Sequence, residues 1–268
     1  MGDSSASPIR SAPGFGDIRW FDSIDSTNRY LLDEARAGAP HGVVAVADHQ
    51  TAGRGRLGRS WEAPPGSNLL VSILLRVDLP AESRHLASAA VGLAAAAAIS
   101  AETGLAPGIK WPNDLLAADG RKLAGVLAEA DLAGPAEHGP PPIVVGIGIN
   151  VGWPLSDDDL PEGQVGEATS LEQEAGRAVD RSALLSRLLG DLGPRLAWLG
   201  TSEGRTRLAS DLRDKCVTLG RRVRVELAGG QMEGTATDLT DEGHLVVATD
   251  GGLETVVAGD VVHLRPAG

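Results

Sequence analysis

Three glycines and three arginines crowd into Gly53–Arg59, and the pair Pro64-Pro65 stands close behind them. Gly53-Arg54-Gly55-Arg56-Leu57-Gly58 spells G-x-G-x-x-G, the signature of a dinucleotide-binding βαβ fold. That fold needs a helix to open at the last glycine, so that pyrophosphate meets the helix N-terminus. Here the chain runs on as Trp61-Glu62-Ala63-Pro64-Pro65-Gly66, and paired prolines cannot be a helix interior. Arg54 and Arg56 would also crowd the tight turn. The dinucleotide reading is therefore rejected, and the segment is a loop. Its guanidinium groups are forked donors for phosphate or carboxylate. Ordering a residue costs roughly 1–2 kcal/mol, whereas a charge-assisted hydrogen bond returns about 1.5–3 kcal/mol. Several such bonds are needed, so the expectation is a loop disordered without ligand and closed with it, keeping water from a reactive intermediate. The alternative is a solvated basic turn.

The flanking pattern is a mixture of strands and helices. Ile18, Trp20 and Phe21 precede a helix start at Asp25-Ser26-Thr27-Asn28, with Gly38 and Pro40 ending that helix. Val43–Ala47 and Asn68–Arg76 read as buried strands, and Arg84–Glu102 as a long alanine-rich helix stopped by Gly104. Short strands are expected at Ile109–Trp111, Asp114–Ala118 and Leu123–Ala130, and a buried one at Ile143–Val151. Gly134–Pro142, with four prolines, and the acidic stretch Trp153–Gly166 read as surface loops, and Arg181–Leu199 as an amphipathic helix. After about residue 215 the texture changes to short alternating runs with glycine turns, from Val223–Leu227 to Val261–Leu264. Such runs suggest a small closed barrel. The division expected is a disordered leader at 1–16, a large domain at 17–214 and the β-rich unit at 215–268.

Composition excludes several classes. A net charge of −12 opposes an extended nucleic-acid surface. Cys216 is the single cysteine, which excludes an internal disulfide or a multi-cysteine zinc site and fits a reducing, cytoplasmic setting. The most apolar helical stretch, Leu86 to Ile99, falls short of the roughly 20 residues of a membrane span. The six histidines show no metal-ligand spacing. There is no phosphate-binding G-x-x-x-x-G-K-[ST] and no G-x-S-x-G.

Of 24 basic residues only three are lysines, Lys110, Lys122 and Lys215. In an arginine-rich chain a surviving lysine marks a place where arginine will not substitute. Lys110-Trp111-Pro112-Asn113-Asp114 combines an extended residue before proline with a turn. It places Lys110, Asn113 and Asp114 where one strand ends and the next begins. Arg121-Lys122-Leu123-Ala124-Gly125 puts a cation at a strand mouth beside small residues; the plainer reading is a snorkelling surface lysine. In Gly146-Ile147-Gly148-Ile149-Asn150 both glycines share one strand face. Glycine weakens a strand unless something approaches closely, tight helix packing being the other explanation. Asn150, at the strand's end, can read an amide or an adenine edge.

Gln50-x-x-Gly-Arg-Gly-Arg-x-Gly-Arg59, Lys110-Trp-Pro-Asn-Asp114, Arg121-Lys-Leu-Ala-Gly125, Gly146-Ile-Gly-Ile-Asn150 and Asp25-Ser-Thr-Asn28 stand in the order and spacing of biotin–protein ligases. The chain resembles that family over about residues 17–195. The resemblance implies a mixed α/β (α+β) catalytic domain related to class II aminoacyl-tRNA synthetases, followed by an SH3-like barrel. It implies that biotin and MgATP form biotinyl-5′-AMP and pyrophosphate, and that a carrier lysine then attacks the mixed anhydride. Carried over, Ser26, Thr27, Asn28, Gln50, Arg54, Gly55, Arg56 and Lys122 are similar to biotin contacts. Arg54, Arg56, Arg59, Trp61, Asn113, Lys122 and Asn150 are similar to adenylate contacts. Lys122, Arg56 and Asp114 match the residues closest to the chemistry, Asp114 helping the incoming lysine. Magnesium is expected to arrive with ATP, with no protein metal site.

The partner implied is the biotin carboxyl carrier domain of a biotin-dependent acyl-CoA or pyruvate carboxylase, without DNA or membrane, met by a monomer or weak homodimer. Two departures stand out. Leu57 occupies a position where some members have a third arginine, and the N-terminal DNA-binding domain of bifunctional members has no counterpart. A lipoate–protein ligase is the nearest competing reading. A biotinyl-AMP-responsive regulator competes from another class, opposed by the short leader and the negative charge.

Overall fold

Five apolar residues, Val43–Ala47, form a strand (β2) buried on both faces. Strand alternation sends Val44 and Val46 to one side and Val43 and Ala45 to the other, and each set joins a separate apolar cluster. In the computed structural model, which describes residues 9–131, 140–160, 166–227, 229–257 and 259–264, β2 belongs to a seven-stranded mixed sheet. The other strands are β1 (Asp17–Phe21), β3 (Leu69–Leu75), β4 (Gly108–Lys110), β5 (Asp114–Leu116), β6 (Lys122–Ala130) and β7 (Ile143–Ile149). Their order is β1-β2-β3-β7-β6-β5-β4. Only β1 and β2 pair in parallel; the remaining ladders are antiparallel. The described residues thus hold no doubly wound parallel sheet, in keeping with the rejection of the dinucleotide fingerprint at Gly53–Gly58.

One face of this sheet is covered by α2 (Leu86–Thr103), which is apolar almost all round and stops at Gly104 in a left-handed cap. The stretch 81–103 is long and apolar enough to cross a membrane, but here it packs against the sheet and against α4 (Arg181–Leu199) and α5 (Ser202–Lys215). Helix α4 is capped by Asp180 and contributes seven buried leucines. Helix α5 was not expected from the sequence: its apolar stripe is only Leu208, Ala209 and Leu212, started by a Thr201 cap. The short α3 (Leu171–Ala175) precedes them.

The other face is covered only in part. Helix α1 (Thr27–Arg36) is capped by Ser26, whose hydroxyl accepts from the Arg29 amide. It lays Leu31 and Ala35 on Leu74 and Val144. Beyond Val144 the same face of β7 presents Gly146 and Gly148, so the cover ends where side chains stop.

The C-terminal unit is a five-stranded antiparallel sheet in the order β11-β10-β9-β8-β12. Its strands are β8 (Arg222–Leu227), β9 (Gly230–Leu239), β10 (Leu245–Thr249), β11 (Gly252–Val256) and β12 (Asp260–His263). Among the described residues no ladder joins β11 to β12. This unit is fastened to the large domain at Trp111, which is 2% exposed and donates from its indole to Gly243 O at 3.1 Å. Beside it the rings of His85 and His244 stack 4.5 Å apart, and burial pulls His85 down to about 4.

The expected leader needs correcting. Residues 1–8 lie outside the described part, but 9–16 pack against the large domain. Phe15 is 1% exposed, Ala12 and Phe15 exchange backbone hydrogen bonds, and the Trp20 indole donates to Ile9 O at 2.8 Å. Small and polar neighbours hid a segment anchored by one aromatic. The expected loops at Gly134–Pro142 and Trp153–Gly166 lie in part outside the described residues. Phe15→Ala should lower stability by about 3 kcal/mol, as for other buried Phe→Ala changes, measured by urea unfolding. A loss below about 0.5 kcal/mol, the surface range, would show that the segment is not part of the core.

Candidate functional site

The uncovered end of the sheet is a trough. An added Cβ on Gly146 would lie 2.2 Å from Asn28 Oδ1, and one on Gly148 would lie 2.5 Å from Trp61 Cε2. Gly125, paired with Gly148 across β6 and β7, would meet Trp61 at 3.0 Å. The glycines therefore answer a close approach by the N-terminus of α1 and by the Trp61 indole. That ring fills the trough and leaves a cavity of about 30 Å³ lined by Thr27, Gln50, Arg54 and Ser72. The Trp61 indole nitrogen is buried without a hydrogen-bond partner. Sequence reasoning placed Trp61 beside a nucleotide base; the structure places it over the trough.

The floor of the trough is a polar network. Gln50 Oε1 accepts from the Thr27 amide at 2.8 Å and lies 3.0 Å from Thr27 Oγ1. Ser72, wholly buried in β3, reaches Thr27 Oγ1 at 2.7 Å and Asn28 Oδ1 at 2.6 Å. Asn28 Nδ2 donates to Glu129 Oε2 at 2.8 Å. The structure thus brings Ser26, Thr27, Asn28, Gln50 and Arg54 together, as expected, and adds Ser72 and Glu129. Neither had a sequence signal: Ser72 sits in a run read only as a buried strand, and Glu129 near the end of an ordinary strand.

At the mouth of β6, Lys122 Nζ pairs with Asp114 Oδ1 at 2.8 Å and lies 5.4 Å from the centre of the Trp61 ring. Asp114 and Lys122 are neighbours because the β4–β5 turn folds Asp114 back opposite Gly125. Asn113 donates to Asp114 Oδ1 and to Val126 O, which fixes its amide and turns Oδ1 towards Arg56. Lys110, in contrast, is at the far end of that turn and has no part in this cluster. Asn150 is 5% exposed, and both its amide hydrogens are taken by Lys122 O and Thr169 O. It ties the ends of β6 and β7 together, so donating to a base edge would cost it one of these bonds.

The arginine loop lies over this mouth as a small hairpin. Gly55 N–H donates to Arg59 O at 2.6 Å and Trp61 N–H to Gly53 O at 3.0 Å. Each arginine has a partner. Arg54 meets Glu129 at 2.9 Å. Arg56 donates to Asn113 Oδ1 and to Gly259 O of the C-terminal unit, both at 2.8 Å. Arg59 pairs with Asp260 at 2.8 Å. Burial lowers the pKa of Arg56, opposed by the nearby carboxylates of Asp260 and Asp114. The partnership with Gly259 and Asp260 was not foreseen, since nothing in a linear reading joins residues 56 and 59 to the far end of the chain. Behind the loop a cleft of about 620 Å³ runs past Arg84, Trp111 and Val257.

Chemically, the site offers a closed hydrogen-bonding pocket, a lysine at its exit and three arginines above it. Such an arrangement could take an acid with its carboxylate towards the Lys122 ammonium and a joined anionic group towards the guanidinium groups.

The Biotin/lipoate A/B protein ligase family matches residues 20–150, and the Biotin protein ligase C terminal domain matches residues 218–264. The chain is 42% identical to the biotin–[acetyl-CoA-carboxylase] ligase of Mycobacterium tuberculosis, over 90% of this chain and 86% of that one. It is 32% identical to the bifunctional ligase/repressor BirA of Bacillus spizizenii, over 90% of this chain and 72% of that one. Among solved structures, the biotin protein ligase of Aquifex aeolicus in complex with biotin and ATP superposes with a TM-score of 0.77 at 28% identity, covering 94% of this chain and 100% of that one.

The loop's closure depends on Gly53, where a Cβ would lie 2.3 Å from the backbone oxygen of Trp61. Gly53→Ala should open the hairpin and raise tryptic cleavage after Arg54, Arg56 and Arg59 about tenfold, since proteolysis follows the open population, at an unchanged melting temperature. Equal cleavage rates in both proteins would show that closure does not need this glycine.

Proposed function

This chain belongs to the biotin/lipoate A/B protein ligase family, and we propose that it is an ATP-dependent biotin–protein ligase acting through biotinyl-5′-AMP. The observation that carries the proposal is the joining of the Thr27–Gln50 pocket to Lys122 by a glycine-floored trough under the arginine loop. In the first step a biotin carboxylate oxygen bonds to the α-phosphorus of ATP, and the bond to the β-phosphate oxygen breaks to release pyrophosphate. In the second, a carrier lysine amine attacks the acyl carbon, AMP leaves, and the amine gives up a proton.

Lys122 meets the charge that builds on the carboxylate and α-phosphate oxygens. To do so it leaves Asp114, which frees that carboxylate to accept the proton of the incoming lysine. Trp61 vacates Gly125 and Gly148 as the acyl chain enters, which puts its ring on the nucleotide side. Arg54, Arg56 and Arg59 exchange Glu129, Gly259 and Asp260 for phosphate oxygens. Magnesium arrives with the ATP phosphates, most of its ligands being phosphate and water oxygens. The acceptor is the biotin carboxyl carrier domain of a carboxylase, in the cytoplasm, where the lone buried thiol of Cys216 stays reduced.

Incubation with MgATP, biotin or lipoate, and apo-carrier domain should give biotin transfer; labelling by lipoate alone would overturn the proposal. Lys122→Ala should reduce biotinyl-AMP formation at least about 100-fold, the usual effect of losing one such donor, with no change in melting temperature. Adenylate formation at the normal rate would remove Lys122 from its role. Arg56→Gly should release the adenylate, seen as biotinylation of bystander lysines on an added protein such as serum albumin. If bystander labelling stays at the parent level, Arg56 is not the clamp.

A further inference from the structure

The cleft of about 620 Å³ behind the arginine loop joins two features that formation of the adenylate does not use. The first is apolar. Among the described residues the exposed large hydrophobics are Leu57, Leu155, Leu253 and Val257. Leu57 and Val257 both line this cleft, one on the arginine loop and the other just past β11. Apolar residues scattered singly need no explanation, but two at one concave mouth give a partner something to cover.

The second feature is charge. Besides His85, which burial keeps neutral, the ionisable side chains lining the cleft are Arg54, Arg56, Arg59, Arg84 and Glu129. Arg54 pairs with Glu129 and Arg59 with Asp260, while Arg56 donates to Asn113 and Gly259. Arg84 is half-buried, and it alone of these arginines has no acceptor among the described residues. Its guanidinium carries five N–H donors in a planar fork. It directly precedes α2, whose dipole is positive at that end. In a chain of net charge −12 acidic partners are repelled in general, so a free cation at one mouth makes that mouth selective for them.

The position of the cleft narrows the occupant. Its wall includes Asn113, whose amide donates to Asp114 Oδ1 at 3.0 Å, and Asp114 lies 2.8 Å from Lys122 Nζ. The cleft therefore runs up to the carboxylate that accepts the proton of the incoming lysine. A lysine carries its amine on a four-carbon stem, so the backbone bearing it stays outside, between Arg84 and the apolar lips. A small anion would use the charge alone, whereas a polypeptide covers Leu57 and Val257 as well.

We propose that Arg84 is a specificity-determining residue that reads a carboxylate side chain flanking the target lysine of the acceptor protein. The inference rests on the ligase reading. Its test is a double-mutant cycle in the full chain. The parent and Arg84→Ala are each assayed with apo-carrier domain and with a carrier whose acidic residues nearest the target lysine are changed to their amides. Initial rates of biotin transfer give the KM for carrier, and biotinyl-AMP formation is measured without carrier. Arg84→Ala should raise the carrier KM about tenfold, the scale of one hydrogen bond to a charged group. Its KM for biotin and ATP, its rate of biotinyl-AMP formation and its melting temperature should be retained. The amide carrier should cost the parent a similar factor and cost Arg84→Ala less than about twofold, the margin of additivity. A carrier KM for Arg84→Ala within about twofold of the parent's would overturn the proposal. So would equal effects of the amide carrier on the two enzymes. A raised KM for ATP would move Arg84 to the nucleotide phosphates and overturn it as well. Failure of the parent chain to form biotinyl-AMP would instead overturn the ligase reading itself, so the two failures are distinguishable.

Discussion

Close approach at three glycines governs what the large sheet can carry on its open face. Side chains at 146 and 148 would strike Asn28 and Trp61 within 2.5 Å, a distance at which repulsion outweighs any contact energy. Glycine in a strand interior weakens it, and this strand is held by other means: ladders to β3 and β6 on both edges and Val145, Ile147 and Ile149 in the core beneath. The apolar face of β7 thus supports a face that has no side chains of its own. Because α1 stops covering the sheet at Val144, its N-terminus delivers Thr27 and Asn28 to the rim. The pocket is the geometric consequence of where cover ends and glycine begins.

Electrostatics then decide what enters. In a chain of net charge −12, the cations of the site are all held by acceptors: Lys122 by Asp114, Arg54 by Glu129, Arg59 by Asp260. Such half-exposed pairs are worth about 0–1 kcal/mol each, whereas a charge-assisted bond to a desolvated phosphate returns about 1.5–3 kcal/mol. Exchange of partners therefore favours a bound acyl-phosphate, and the resting pairs keep the cations from meeting one another. Two of the resting acceptors, Gly259 O and Asp260, belong to the C-terminal sheet. That sheet is consequently joined to the chemistry through the loop, at a distance from the Trp111 anchor that fixes its position.

Much of this was legible because certain residues have one physical use. Pro64-Pro65 excluded a helix, the glycines of β7 announced close approach, and Lys122 stood out where arginine had replaced lysine almost everywhere. The turn chemistry of Pro112-Asn113 put Asp114 at a strand start and Lys122 was read at the mouth of the next strand; that the two meet at 2.8 Å was not foreseen. Illegible residues were those whose meaning is set by a partner distant in sequence. Ser72 is polar within a strand read only as buried and acquires its role from Thr27, 45 positions earlier. Glu129 acquires its role from Asn28, 101 positions earlier. Asp260 meets an arginine 201 positions away. Phe15 was misread for the opposite reason: its neighbours are polar, and a single ring holds the segment. Trp61 was placed on the adenylate side only through the family resemblance, and its contacts with Gly125, Gly148 and Lys122 have no signature in the linear sequence.

Leu57 brings these threads to one residue. It is 68% exposed and sits at φ 56, ψ 33, the left-handed region, which costs a non-glycine residue roughly 1–2 kcal/mol. Nothing in its surroundings compensates by packing. The conformation is held by the Gly55–Arg59 and Arg59–Arg56 backbone bonds and by the acceptors on the C-terminal sheet. Net hydrogen bonds of this kind return about 0.5–1.5 kcal/mol each, and against them stand the strain at Leu57 and the roughly 1–2 kcal/mol of ordering each loop residue, so the folded loop is not held by a large surplus. A loop without such a surplus is one that a ligand can tip. The few additional bonds from three arginines to phosphate then suffice for closure, and their loss on product release suffices for opening.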